Sequence, residues 1–215
     1  QEPSRTIGVI ERVVRAHELQ ALDAAAEAAT FEFPATAEKL AKTLREDARA
    51  AGAEGRELSP EECKGLIEAF EIASVDGMGD VGMSLRLGVL RDRESGPVIL
   101  AATGGGKEPI PANTAFAAPP MTHDKAMDML ARCGALDQIK ACGGDGPYDI
   151  DALTQALAGL GSLAGALGDV IESLDIAPFA AGPKGQGGIA GKAWGVLRTA
   201  ALPGPETISN EGRER

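Results

Sequence analysis

A chain of 215 residues suits one medium domain, or one domain with a helical extension. It is 44% hydrophobic but only 3% aromatic, so a buried core must be built from Ala, Leu, Val and Ile. The formal charge of −11 argues against nucleic acid and anionic membrane surfaces as partners, because both would repel the chain. Three cysteines, Cys63, Cys133 and Cys142, have no CxxC spacing. A disulfide framework or zinc site is therefore not expected, and a reducing cytoplasm is. The first residues, "QEPSRTIGVIERVV", contain no apolar h-region, so no signal peptide is expected there.

Residues 1–75 are expected to form a helical N-terminal region. Ile10, Val14, His17 and Ala21 recur at three- and four-residue spacing and make one mostly apolar face. A second helix follows Pro34, with Leu40, Leu44 and Ala48 on one side. "ARAAGAEGRE" reads as a loop or linker. The third helix opens on "SPEE", where Ser59 can cap, Pro60 suits the first helical position, and Glu62 stands where a capping box wants a carboxylate. Cys63, Leu66, Ile67 and Phe70 form its buried face.

Residues 76–200 mix strand and helix. "SLRLGVL", with Leu85, Leu87 and Val89 on one face, and the apolar "PVILAA" flank the polar turn "RDRESG" and predict a hairpin. A proline-containing loop follows. Thr122 caps a helix through Ala126, Met129, Leu130 and Cys133, and Gly134 ends it. After the Gly-rich "CGGDGPYD", Leu153, Leu157, Leu160, Leu163 and Leu167 keep helical spacing. Asp149 and Asp151 suit the start of that helix, where the macrodipole favours acids. Its Gly and Ala content implies close packing, and it reads as too weakly apolar to cross a membrane. "LDIAPFAA", the turn "GPKGQGG" and "IAGKAWGVL" predict a second hairpin. The polar end, residues 201–215, is expected to be a disordered tail.

In "LDIAPF", Leu174, Ile176 and Phe179 are apolar, and Asp175 points the other way. Position 177, which would share the face of Asp175, is Ala.

The order of these segments carries a resemblance. "GVLRDRESGPVILAATGG", "TAFAAPPMTHDKAMDML", "DIDALTQALAGLGSLAGALGDVIESLDIAPF" and "IAGKAWGVL" follow one another at near-family spacing. From about Leu87 to Leu197 the chain resembles the C-terminal half of the ATP-grasp domain of ADP-forming acyl-CoA (acetate–CoA) synthetases, a domain carried by their beta subunit. The resemblance implies an α+β fold, with an ATP-grasp-like antiparallel sheet and flanking helices over residues 76–200. It implies that ATP, an acid and CoA are interconverted with acyl-CoA, ADP and phosphate through an acyl phosphate and a phosphohistidine. Magnesium would be held by Asp, Glu and Asn oxygens on the last strands.

Against that pattern, the acid of the family's Asp-Ile-Asn is Asp175, the candidate metal ligand, and the Asn is Ala177. The preceding Glu is Ser173. The Arg after the family's Phe is Ala117, following Phe116, and the acid opening that segment is Asn113. The last strand's Asp-Ala-Arg is replaced by Gly191, Lys192 and Ala193. The family's His motif has Gly77 where its histidine belongs, and His17 and His123 lie elsewhere. "TGGGKE" lacks Walker spacing and reads first as a strand-to-loop turn. The alternative is a relic phosphate- or CoA-facing loop using the backbone N–H groups of Gly104 and Gly105. Asp92 and Glu94 read as solvated turn charges, His123 as a surface residue and Trp194 as packing. Cys133 reads as buried, and Cys142 as the more exposed thiol.

No residue is assigned a catalytic role. The expectation is a degenerate ATP-grasp-like subunit serving as an accessory or structural chain of a larger ligase or carboxylase-like complex, with weak or lost ATP and magnesium binding. Two alternatives stay open. One is an active subunit of an ADP-forming acyl-CoA synthetase, an acid–thiol ligase completing its ATP site with another chain. The other is a CoA- or nucleotide-binding module without chemistry. Other acyl-CoA-synthetase-like chains are the expected partners.

Overall fold

The computed structural model describes residues 35–50, 55–73, 83–92, 95–104, 113–141 and 148–198. The expected first helix with His17, the expected tail, Gly77, Glu94, Gly105 and Cys142 lie outside them. The described elements are α1 (Ala35–Ala50), β1 (Arg56–Glu57), α2 (Pro60–Ala69), β2 (Ser84–Asp92), β3 (Gly96–Thr103), β4 (Thr114–Ala117), α3 (His123–Arg132), α4 (Ala135–Ala141), α5 (Ile150–Leu167), β5 (Ile171–Ala181), β6 (Gly188–Ala190) and β7 (Ala193–Leu197). The fold is α+β, as expected.

The strands form one antiparallel sheet in the order β1-β7-β5-β2-β3-β4, with β6 also on β5. The predicted hairpin is β2–β3, from Leu85 opposite Thr103 to Asp92 opposite Gly96. The second predicted hairpin differs in detail. "IAGKAWGVL" is broken at Gly191 and Lys192, so β6 and β7 pair in succession with the long strand β5. One part of "ARAAGAEGRE" is not linker. Arg56 and Glu57 pair with Leu197 and Val196 and extend the sheet. No alternating pattern could announce a strand of two residues.

Period-2 alternation sorts the sheet into two faces. Leu85, Leu87 and Val89 of β2, Ile99 and Ala101 of β3, and Leu174 and Ile176 of β5 face the helices and join a single buried cluster with Leu44 of α1, Leu66 of α2, Met129 of α3 and Leu157 of α5. The helical N-terminal region and the sheet thus share one core. Helix α5 meets the length and hydropathy test for a membrane-crossing segment. Its leucines Leu153, Leu157, Leu160, Leu163 and Leu167 are instead buried in that core.

The helix ends follow local chemistry. The Ser59 hydroxyl accepts from the Glu62 N–H at 3.2 Å, and the Glu62 carboxylate accepts from the Ser59 N–H at 2.7 Å, completing the capping box. Thr122 caps α3, and Gly134 follows it with φ +78°. Asp149 caps α5 by accepting from the Ala152 N–H at 3.1 Å. At the other end of α5, Arg45 donates to the Ala166 carbonyl and Arg91 to that of Gly168, placing two cations where the dipole is negative. Arg45 also pairs with Asp169 at 2.8 Å, which ties α1 to the end of α5.

Small residues let the helices approach closely. A methyl on Gly159 would stand 2.4 Å from the Phe70 carbonyl oxygen, and one on Gly161 would stand 2.5 Å from the Met121 Cβ. Gly161→Ala gains up to about 1 kcal/mol in helix propensity and loses about 1–3 kcal/mol to overpacking. A net loss is expected, because the Met121 backbone N is also only 3.0 Å away and cannot swing aside. Urea denaturation of the variant measures it.

Arg56 donates to both oxygens of Glu62 at 2.8 Å, fastening β1 to the cap of α2. Those bonds, with the Ser59 N–H, lower the Glu62 carboxyl to about 2. An unfolded glutamate titrates near about 4.3. The depressed value means that this stabilisation is present above about pH 4.3 and is lost as pH falls toward 2. Glu62→Gln should lower stability at pH 7 by about 1–2 kcal/mol, after discounting for solvent screening. Denaturation curves of variant and wild type should converge near pH 2.

Candidate functional site

The face of the sheet turned away from the helix-side core carries the candidate site. Gly88 of β2 stands opposite Asp175 of β5, which stands opposite Trp194 of β7. With no side chain at Gly88, the outer face is open there, and Arg86, two residues back along β2, reaches diagonally onto Asp175. The Arg86 Nε donates to Oδ1 at 3.0 Å and to Oδ2 at 2.9 Å, and its Nη2 also donates to Oδ2. The side chains of Asp175 and Arg86 are only 7% and 17% exposed, so this is a largely desolvated, forked ion pair. Its hydrogen bonds push the Arg86 guanidinium still higher than usual.

Both oxygens of Asp175 are therefore held by a cation. Ala177 is buried beside them and offers no ligand atom. Gly191 and Ala193 offer none either, and Lys192 brings a second positive charge to the same end of the sheet. Among the described residues no three His, Cys, Asp or Glu side chains converge on one point. Magnesium requires a shell of oxygen ligands. The side chains assembled here do not supply one.

Next to the ion pair lies a groove of about 580 Å³ lined by Leu58, Arg86, Lys192, Trp194 and Val196, with Glu57 at its edge. Trp194 is 41% exposed there, so it is a groove wall and not a core residue. The reason is register, because its partner Asp175 already points outward. Phe116 of β4, opposite Leu100, and Ile189 of β6, opposite Ala180, are the other exposed large apolar residues among those described. Leu100 and Ala180 are buried outside the helix-side cluster, so all three lie on this outer face.

The remaining expected residues are scattered. Gly104 ends β3 with φ +97°, and its N–H donates to the Ser84 carbonyl at 3.1 Å, closing the β2–β3 ladder. Asp92 accepts from the Ser95 N–H in the hairpin turn. His123 sits at the first turn of α3. Cys63 and Cys133 are buried, and burial pushes the Cys63 thiol up to about 11 and raises that of Cys133. Arg86 was not singled out in the sequence. The available signal was a cation at an outward position of β2, two residues before a glycine.

A family model described as an ATP-grasp domain matches residues 63–190, more than half of the chain. The chain belongs to the ATP-grasp domain family. The match runs from α2 through β6 and so takes in a helix of the N-terminal region. Two curated relatives are the beta subunit of acetate–CoA ligase [ADP-forming] I from Pyrococcus furiosus, 29% identical over 99 residues, and acetate–CoA ligase [ADP-forming] I from Archaeoglobus fulgidus, 30% identical over 104 residues. These alignments cover 46% and 48% of this chain, and 42% and 15% of the relatives. The chain thus spans less than half of either relative. Among solved structures, a protein of Pyrococcus horikoshii Ot3 superposes with a TM-score of 0.65 at 16% identity, covering 75% of this chain and 99% of that one. Dinucleotide-forming acetyl-coenzyme A synthetase 1 of Ca. Korarchaeum cryptofilum, solved with coenzyme A and Mg-AMPPCP, superposes at 0.58 and 19% identity, covering 74% of this chain and all of that one. Both share the fold.

Within this ATP-grasp sheet the ion pair has a measurable role. Arg86→Ala leaves the Asp175 carboxylate buried without its forked partner, and a loss of about 3 kcal/mol is expected. Adding Asp175→Ala should recover part of that loss, since two small neutral residues leave no orphaned charge. A double-mutant cycle by urea denaturation reads both.

Proposed function

We propose that this chain is a degenerate ATP-grasp subunit, related to the beta chain of ADP-forming acyl-CoA synthetases, that serves as an accessory or structural component of a larger ligase-like complex. The observation that carries this reading is the Arg86–Asp175 ion pair. The carboxylate that the resemblance assigns to magnesium is neutralised within the fold, and phosphoryl transfer depends on charge stabilisation at that place. Ala117 and Ala177 remove the matching cation and ligand, and among the described residues no carboxylate replaces them. Asp175 is in this reading an anchor of the sheet.

The partner is another protein chain of acyl-CoA-synthetase type, docked on the outer face. Phe116, Ile189 and Trp194 support this, because each leaves a large apolar side chain exposed on that face. The acidic charge suits a cytoplasmic protein that holds neither nucleic acid nor an anionic membrane.

A second reading, a CoA- or nucleotide-binding module without chemistry, is favoured by the groove in which Trp194, Lys192 and Arg86 meet. An aromatic face beside the Lys192 ammonium suits a base and a phosphate. Isothermal titration of the chain with ATP, with and without magnesium, and with CoA separates these readings. The accessory reading expects no magnesium-dependent heat. Magnesium-dependent ATP binding that disappears in Asp175→Asn would overturn it and restore an active subunit. Magnesium-independent binding weakened by Trp194→Ala would favour the second reading.

A further inference from the structure

Helix α1 is held to the rest of the molecule far more lightly than α5. Its buried face is Ala37, Ala41, Leu44 and Ala48, so a single large side chain is fully committed to the core, with Leu40 packed partly against it. Helix α5 commits five leucines. Among the described residues no backbone hydrogen bond joins α1 to another element. Its polar attachments there come from two side chains. Arg45 donates to the two oxygens of Asp169 at 2.8 and 3.0 Å and to the Ala166 carbonyl, and Asp47 accepts from Arg56 at 3.2 Å.

Both ion pairs are open to water. The Arg45 and Asp169 side chains are 36% and 56% exposed, and those of Arg56 and Asp47 are 34% and 44% exposed. Pairs of this kind hold weakly and are screened by salt. Arg56 does not depend on α1, because its bonds at 2.8 Å to both oxygens of Glu62 keep β1 joined to the cap of α2 when Asp47 leaves. The polar network therefore divides between α1 and β1. The family match divides the chain on the same side, since it begins at Cys63, after both α1 and β1. The sequence of α1 is rich in Ala, Lys, Glu, Leu and Arg, all good helix formers, and at 16 residues it is close to the length at which a helix is marginal without a seat.

We infer that α1 is an ion-latched arm, which opens as a unit about its junction with β1 while α2, α5 and the sheet stay folded. Arg45 is the latch. It joins α1 to the last turn of α5 through a carboxylate and a carbonyl at once, and its release frees the Ala, Leu44 and Ala48 strip together with the surface that strip covers. Salt favours the open arm, because the latch is electrostatic and the sheet beneath is held by apolar packing. This device is independent of the accessory reading.

Hydrogen exchange of the full chain, followed by mass spectrometry at low urea concentrations, tests it. The α1 amides should exchange at least tenfold faster than the buried amides of α5, through an opening that responds little to urea because it exposes little surface. Arg45→Gln should speed α1 exchange about fivefold and leave α5 unchanged. Lys42→Gln, which alters an exposed charge on the same helix with no ion pair, should leave both unchanged. Raising salt from about 0.1 M to 1 M, which shortens the screening length from about 10 Å to 3 Å, should speed α1 about threefold. Exchange of α1 and α5 at one rate with one urea slope would overturn the inference, because the two would then open together. An Arg45→Gln effect no larger than that of Lys42→Gln would also overturn it, as would α1 amides with no protection in the wild type.

Discussion

With 3% aromatic residues, this chain must fill its core with aliphatic side chains and backbone brought close together. Dispersion is short-ranged, so a core of Ala and Leu holds only if its elements approach to contact. Helix α5 meets that demand. Gly159 lies against the Phe70 carbonyl and Gly161 against Met121, so α5 settles at once on α2, on the loop before α3 and on the sheet. Around this contact the other elements take their places. Arg45 and Arg91 reach the carboxyl end of α5 from α1 and β2, and Asp149 fastens its amino end to the β5–β6 turn.

The two faces of the sheet answer different requirements. The helix-side face is continuous and apolar. The outer face is mixed, with an ion pair at its centre and three exposed large apolar residues around it. Burying a carboxylate is expensive unless it is paired and hydrogen-bonded, and Asp175 meets that condition through Arg86. A metal ion at Asp175 would have to displace the guanidinium and then find further oxygen ligands, where the chain offers Ala177, Gly191 and Ala193. The ATP-grasp architecture is thus present, with an internal salt bridge at the centre of the outer face of its sheet.

Much of the fold was legible because its signals are local. The capping box at Ser59, Thr122 before α3, Gly134 after it, and the leucine spacing of α5 each involve residues within a few positions of one another, and each appears where expected. Elements without such a signal were missed. The strand β1 is two residues long, and its only cause is the free edge of β7. The break of "IAGKAWGVL" into β6 and β7 falls opposite Ala177 and Pro178 of β5, where the Ala177 N–H meets the Lys192 carbonyl and the Gly191 N–H that of Pro178. Helix α4, seven residues after a glycine, was too short for a period to register.

For the site, the sequence by itself determined which ligand atoms are present. It fixed that position 175 is an acid, that 177, 117 and 193 carry only methyl groups, and that the order of segments is that of an ATP-grasp domain. What it could not determine is what those atoms touch, because Arg86 and Asp175 are 89 residues apart and meet only through the pairing of β2 with β5. The same holds for Trp194, placed in a groove wall by register. Composition and short-range spacing set the elements and the chemical inventory. Strand register and helix packing, which are properties of distant residues, decided which of those groups are neutralised and which remain open to a ligand.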